Sequence, residues 1–133
     1  MANEAICYET PTKFARYTVA DGTAITKGTL MKLTSPNTAI ATSAAGDCFA
    51  GIAMEDKVAN DGKVEITCAL NGVWGLLSTA SAITVGYQVR VGGANQVAQY
   101  TTLDDEKGQV VGRSLETIGA SATVIKVRLG TGY

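Results

Sequence analysis

Apolar and polar residues alternate along several short stretches of this chain, and each stretch is cut off by turn-forming residues. Ile125, Val127 and Leu129 alternate with Lys126 and Arg128; Ile66, Cys68 and Leu70 alternate with Glu65 and Thr67. Tyr87, Val89 and Val91 alternate with Gln88 and Arg90. A period of two puts successive side chains on opposite faces, the mark of a strand with one face buried. The pattern is less clean at 30–33, where Met31 and Leu33 are expected on one face and Lys32 on the other, because Leu30 is also apolar. No long window places apolar residues at helical spacing. Gly, Thr, Ser, Asn and Asp break the chain at roughly 8–12-residue intervals, as in all-β sandwiches and barrels.

In chain order, residues 1–13 are polar and mixed and read as an extended arm, only partly ordered in isolation. Phe14–Val19 is a candidate first strand. Ser35-Pro36-Asn37-Thr38 is a turn by its composition, and Thr38–Thr42 pairs back on 29–34. Cys48–Met54 is an apolar strand, Asn60-Asp61-Gly62 a hairpin-type turn, and Lys63–Leu70 an alternating strand. Val73-Trp74-Gly75-Leu76-Leu77 is the most hydrophobic run and bridges the two halves of the chain. Beyond it, Gly92-Gly93-Ala94-Asn95 is a turn, Gln96–Thr101 pairs back, Asp104-Asp105-Glu106 is an acidic loop, and the chain closes with strands at 109–115 and 122–129 and a Gly-rich end at 130–133.

The second part of the chain repeats the first. Ala24-Ile25-Thr26-Lys27-Gly28 returns as Ala82-Ile83-Thr84-Val85-Gly86, and in each copy the Gly can take positive φ in a tight turn before a strand. Gly51-Ile52-Ala53-Met54-Glu55 corresponds to Gly112-Arg113-Ser114-Leu115-Glu116, and 64–72 to 123–130. Three matches in one order, with length differences confined to polar loops, indicate two copies of one supersecondary unit, about 24–72 and 82–132. A unit of that size buries little surface alone, so the two are expected to share one core. The resulting expectation is an all-β fold, a compact barrel or sandwich of two tandem similar units, with residues 1–20 as arm and first strand and 21–133 as a single β domain.

Charge narrows the partners. Eleven basic and 12 acidic residues leave a net charge of −1, without the basic face that displaces counterions from nucleic acid. Nucleic acid is therefore not an expected partner. No apolar stretch approaches a membrane span and no basic, apolar leader opens the chain, so no membrane partner is expected. The three cysteines, Cys7, Cys48 and Cys68, make a poor disulfide framework and suit synthesis in a reducing compartment.

Candidate chemistry is sparse. The chain has no histidine, which removes the commonest general base and metal ligand. No Gly-rich phosphate loop of standard form is present, and Gly92-Gly93 reads as a hairpin turn. Glu55-Asp56 with Asp61, and Asp104-Asp105-Glu106, could offer oxygens to a hard cation, but at no standard calcium spacing. Glu55 and Glu116 occupy equivalent places in the repeat, which accounts for their pairing without catalysis. The expectation is a protein that is not an enzyme, with no catalytic, cofactor-binding or metal-binding residues.

At the repeated Ala-Ile-Thr-x-Gly, the Gly-x-Ala-Met-Glu and the closing Val-Ile-Lys-Val-Arg-Leu, the chain resembles the small capsid decoration proteins (head-stabilising, cement) of tailed bacteriophages, over most of residues 20–130. The resemblance implies a compact β-domain, usually a homotrimer, on the outer capsid face at threefold and quasi-threefold positions. There it binds the major capsid protein after expansion and locks capsomers together. The protein would be made in the host cytoplasm and reside in the virion, and the family has no catalytic residues to carry over.

Two expectations about contacts rest on the arm and the apolar run. The arm orders on binding and adds a β-strand to the capsid shell, with Glu4, Ile6, Tyr8, Thr10 and Lys13 as contact residues. Subunits associate near Val73, Trp74, Leu76 and Leu77, so that three linked copies raise effective concentration. Other readings are a head-fibre or tail-associated adhesive module and, below it, a small intracellular β-barrel enzyme using Cys, Asp or Lys.

Overall fold

The computed structural model describes residues 4–100 and 110–130. The acidic loop 104–106, the end of the pairing segment expected to reach Thr101, and residues 1–3 and 131–133 lie outside the described residues. Within them are eleven strands and no helix: β1 Ile6–Glu9, β2 Phe14–Thr18, β3 Leu30–Ser35, β4 Thr38–Ala41, β5 Phe49–Ala53, β6 Glu65–Ala69, β7 Val73–Ser78, β8 Gln88–Gly93, β9 Gln96–Gln99, β10 Val110–Ser114 and β11 Val124–Leu129.

These strands close into two five-stranded barrels, β2-β4-β3-β5-β6 and β7-β9-β8-β10-β11, with β1 added to the outside of β7. Each barrel closes in the same way. Its first strand runs antiparallel to its last (β2 with β6, β7 with β11) and parallel to its third (Thr18 opposite Thr38, Leu77 opposite Gln96). The repeat is thus real and begins earlier than the sequence match at 24 and 82. Val73–Ser78, read as a bridge between the halves, is the opening strand of the second barrel and the counterpart of Phe14–Thr18. Phe-Ala-Arg-Tyr-Thr and Val-Trp-Gly-Leu-Leu share no residue in register; only their pairing makes them equivalent.

The repeated motif behaves as its composition requires. Gly28 and Gly86 have φ of 92° and 87°. Thr26 and Thr84 carbonyls accept the Thr29 and Tyr87 amides across the turn. Ile25 and Ile83, both buried, form single antiparallel bridges to Lys57 and Ile118. The two-residue hairpin loops end on Asn37 and Asn95, each with positive φ, a conformation Asn tolerates better than most residues.

Strand periodicity holds where it was clean. Ile66, Cys68, Ile125, Val127, Val89 and Val91 are fully buried. Three places depart from it. Leu70, expected inward, lies just beyond β6 and is only partly buried, while its neighbour Ala69 is fully buried. Tyr87 precedes β8 and is exposed. In β3, Leu30 and Met31 are both buried while Leu33 is exposed. Leu30 and Met31 point to opposite faces and both faces are covered: Met31 fills the first barrel, and Leu30 packs among residues of the second. The bulge against β5 has its extra residue, Ala50, on β5.

The halves do not share one core; each barrel has its own interior, with a seam between them. One cluster holds Ile25, Met31, Ala39, Ala53, Ile66 and Cys68 of the first barrel. The other fills the second barrel and takes in Leu30, Ile52 and Ala69 from the first. Buried Asn95 stitches the seam: its Oδ1 accepts the Leu30 amide at 2.7 Å, and its own amide donates to Thr42 Oγ1 at 2.9 Å. The Gly46 amide donates to the Val91 carbonyl nearby.

Candidate interaction surface

The outer face of the second barrel is built on a glycine. Gly75 lies in the middle of β7, and a Cβ there would come 2.8 Å from Tyr8 Cε2 and 3.1 Å from Val124 Cγ1. Without one, β1 lays Tyr8 across the strand. Ile6 pairs with Gly75 and Cys7 with Trp74; a bulge then brings Glu9 opposite Val73. Lys126 on β11 holds its ammonium 4.8 Å from the centre of the Tyr8 ring, a cation–π contact. Glu9 accepts two hydrogen bonds from the Arg128 guanidinium, at 3.2 and 3.3 Å. The sequence-expected outward pair on the last strand therefore grips the arm.

The result is an apolar patch framed by charge. Ile6, Tyr8 and Val124 keep 52%, 51% and 47% of their surface exposed. The arm also touches the first barrel, where the Ala5 amide donates to the Gly28 carbonyl at 2.8 Å. Farther along, Pro11 is buried, and Asn71 Oδ1 accepts the Thr12 and Lys13 amides. The arm is thus not a free segment: it crosses both barrels and already serves as a strand on its own chain.

Of the expected contact residues, Ile6, Tyr8, Thr10 and Lys13 are exposed and Glu4 is partly buried. Of the expected subunit-contact residues, Val73, Trp74 and Leu76 are buried in the second barrel, and Leu77 is partly exposed. Trp74 packs in the core with its indole N–H donating to the Asn71 carbonyl. The two groups meet on one strand pair, β1 and β7, which sequence reading did not bring together. Gly75, Val124, Lys126 and Arg128 were not expected in the surface. The available signal was the apolar alternation of β11, which placed Lys126 and Arg128 outward without showing what lay beside them.

The carboxylates serve the frame. Glu55 and Glu116 do the same work in the two barrels: each accepts a strand amide, Thr67 at 2.9 Å and Lys126 at 2.8 Å. Lys63 also donates to Glu55, and these bonds hold its carboxyl below the ordinary glutamate range. Asp61 and Asp21 surround the buried Lys57 ammonium at 3.2 and 3.6 Å. Burial pushes the Cys68 thiol up to about 12, far from a nucleophile's range. Among the described residues no three His, Cys, Asp or Glu side chains are grouped to hold a metal ion.

No sequence-family model matches the chain, and no curated protein matches it. Among solved structures it is similar to the head fiber gp8.5 N base in bacteriophage phi29, with a TM-score of 0.54 and 13% sequence identity over 89% of this chain and 95% of that one. At that identity the likeness is one of fold.

Proposed function

We propose that this protein is a non-catalytic structural component of a tailed-phage head, docked on the outer capsid surface by contact with the major capsid protein. The observation that carries the reading is the fold match to a head-fiber base, which spans nearly the whole of that chain. The duplicated carboxylates support it, because Glu55 and Glu116 are each used up in holding a strand rather than converging on a reactant. The apolar patch of Ile6, Tyr8 and Val124, framed by Lys126, Glu9 and Arg128, suits adhesion to another protein.

The finer form of the reading is a decoration or cement protein that stabilises capsomer contacts as a homotrimer. Since Val73, Trp74 and Leu76 fill the barrel, a subunit contact on this strand pair falls to Leu77, Ile6, Tyr8 and Val124. A base for a head fibre is the second reading, favoured by the same fold match. The test is co-sedimentation with expanded heads, followed by their disruption temperature. Binding with a higher disruption temperature is expected of a cement protein, and binding without that rise of a fibre base. Failure to sediment with expanded heads overturns both. Light scattering that returns a monomer at high micromolar concentration removes the trimer.

A further inference from the structure

The two barrels differ at one edge. On β7, the Ser78 amide donates to the Thr123 carbonyl and the Gly72 carbonyl accepts the Leu129 amide. The alternation of an antiparallel ladder then turns the backbone groups of Val73, Gly75 and Leu77 to the opposite edge. There β1 takes Val73 and Gly75, and β9 takes Leu77. On β2, the Val19 amide donates to the Val64 carbonyl and the Lys13 carbonyl accepts the Leu70 amide. The same alternation turns Phe14, Arg16 and Thr18 to the opposite edge. Thr18 meets the turn before β4, its amide donating to the Asn37 carbonyl. Phe14 and Arg16 occupy the places of Val73 and Gly75, and among the described residues no strand pairs with them on that edge.

We infer that the edge of β2 at Phe14 and Arg16 is a strand-addition site for an extended segment of a partner protein. The segment runs antiparallel to β2 and places an acidic side chain opposite Arg16 and an apolar one opposite Phe14. The occupied edge shows the mode of docking: backbone pairing supplies the hold and the outward side chains supply the selectivity. Both chemistries are displayed. Phe14 is 50% exposed, and the Arg16 side chain is 61% exposed, its charge partner among the described residues being Glu65, 55% exposed, at 3.3 Å. Lys13 adds a second cation at the start of the strand. On the filled edge the docked strand likewise brings an acid, Glu9, to a strand cation, Arg128. A second copy fits less well, since pairing two such edges brings Lys13 and Arg16 of both together. Its β1 is already spent on its own β7. Nothing in such a site depends on the chain sitting on a phage head.

The experiment uses the full chain and a fluorescent synthetic peptide copying residues 4–10 with Ile6→Glu, Cys7→Ser and Glu9→Val, the outward positions thereby rewritten for β2. Saturable binding by anisotropy is expected, with the Phe14 and Arg16 amides slowed in hydrogen exchange about tenfold or more on addition. Arg16→Pro removes an outward N–H without touching the β2–β6 ladder and should weaken binding about tenfold or more. Arg16→Glu, which keeps the backbone, should weaken it too and covers the case in which the proline variant fails to fold. Absence of binding at millimolar peptide, binding unchanged in Arg16→Glu, or protection lost at Ile6 instead (the peptide displacing β1 from Gly75) overturns the inference. So does a dimer that Arg16→Glu abolishes, which would assign the edge to a second copy.

Discussion

Gly51 and Gly112 show how one residue type can be demanded twice for one reason. A Cβ on Gly51 would lie 2.8 Å from the Ala69 carbonyl oxygen, and one on Gly112 would lie 2.0 Å from that of Arg128. Ala69 and Arg128 are equivalent residues of the two closing strands, so each glycine lets its strand meet the last strand of its barrel. Gly112→Ala is expected to destabilise the protein by about 1–3 kcal/mol through overpacking, read from the urea midpoint. The repeated glycine was visible in sequence; the carbonyl it makes room for was not, because that atom lies on another strand. Glu55 gives a pH prediction. Lys63 first, and the Thr67 amide second, hold its carboxyl below the ordinary value of 4.5. A carboxyl lowered on folding adds stability at pH above the ordinary value and gives it up as pH falls through the lowered one. Stability should therefore decline as pH drops below that value, and Glu55→Gln should flatten part of the slope in denaturation curves taken across the acid range.

The first strand of the chain was legible as an extended segment but not as a strand of this particular sheet. Ile-Cys-Tyr-Glu carries no mark of its partner. What directs it to β7 is the space above Gly75 and the cations of β11, and these converge only once β7 and β11 are paired. Deleting residues 1–10 strips the backbone pairing at Val73 and Gly75, the Tyr8 contact with Lys126 and the Glu9–Arg128 pair. The exposed ion pair is worth little, so the loss falls mainly on hydrogen bonds and apolar cover. A drop of about 2–4 kcal/mol is expected, measured by denaturant unfolding. The truncated chain should also associate more readily in light scattering, because an uncovered edge invites pairing.

Two barrels joined through a buried seam should unfold as one. Leu30, Ile52 and Ala69 close the first barrel while packing with the second, and the Asn95 amide and side chain fasten Leu30 and Thr42 across the seam. Calorimetry is expected to show a single transition with matching calorimetric and van't Hoff enthalpies. Asn95→Ala leaves the buried Leu30 amide without its acceptor, at a cost of about 1–3 kcal/mol. The separation of that single transition into two is the sign that the seam, and not either interior, has been weakened.

The duplication, the all-β class, the turns at Gly28, Gly86, Asn37 and Asn95, and the inward faces of β6 and β11 were all readable from the chain, because each is a local matter of backbone preference or period-two alternation. The equivalence of β2 and β7, the burial of Leu30, and the cover over one barrel edge but not, among the described residues, over the other were not readable. They depend on which distant strand supplies the next hydrogen bond, and a strand's composition reports that it will pair and which face it buries without naming the neighbour that completes it.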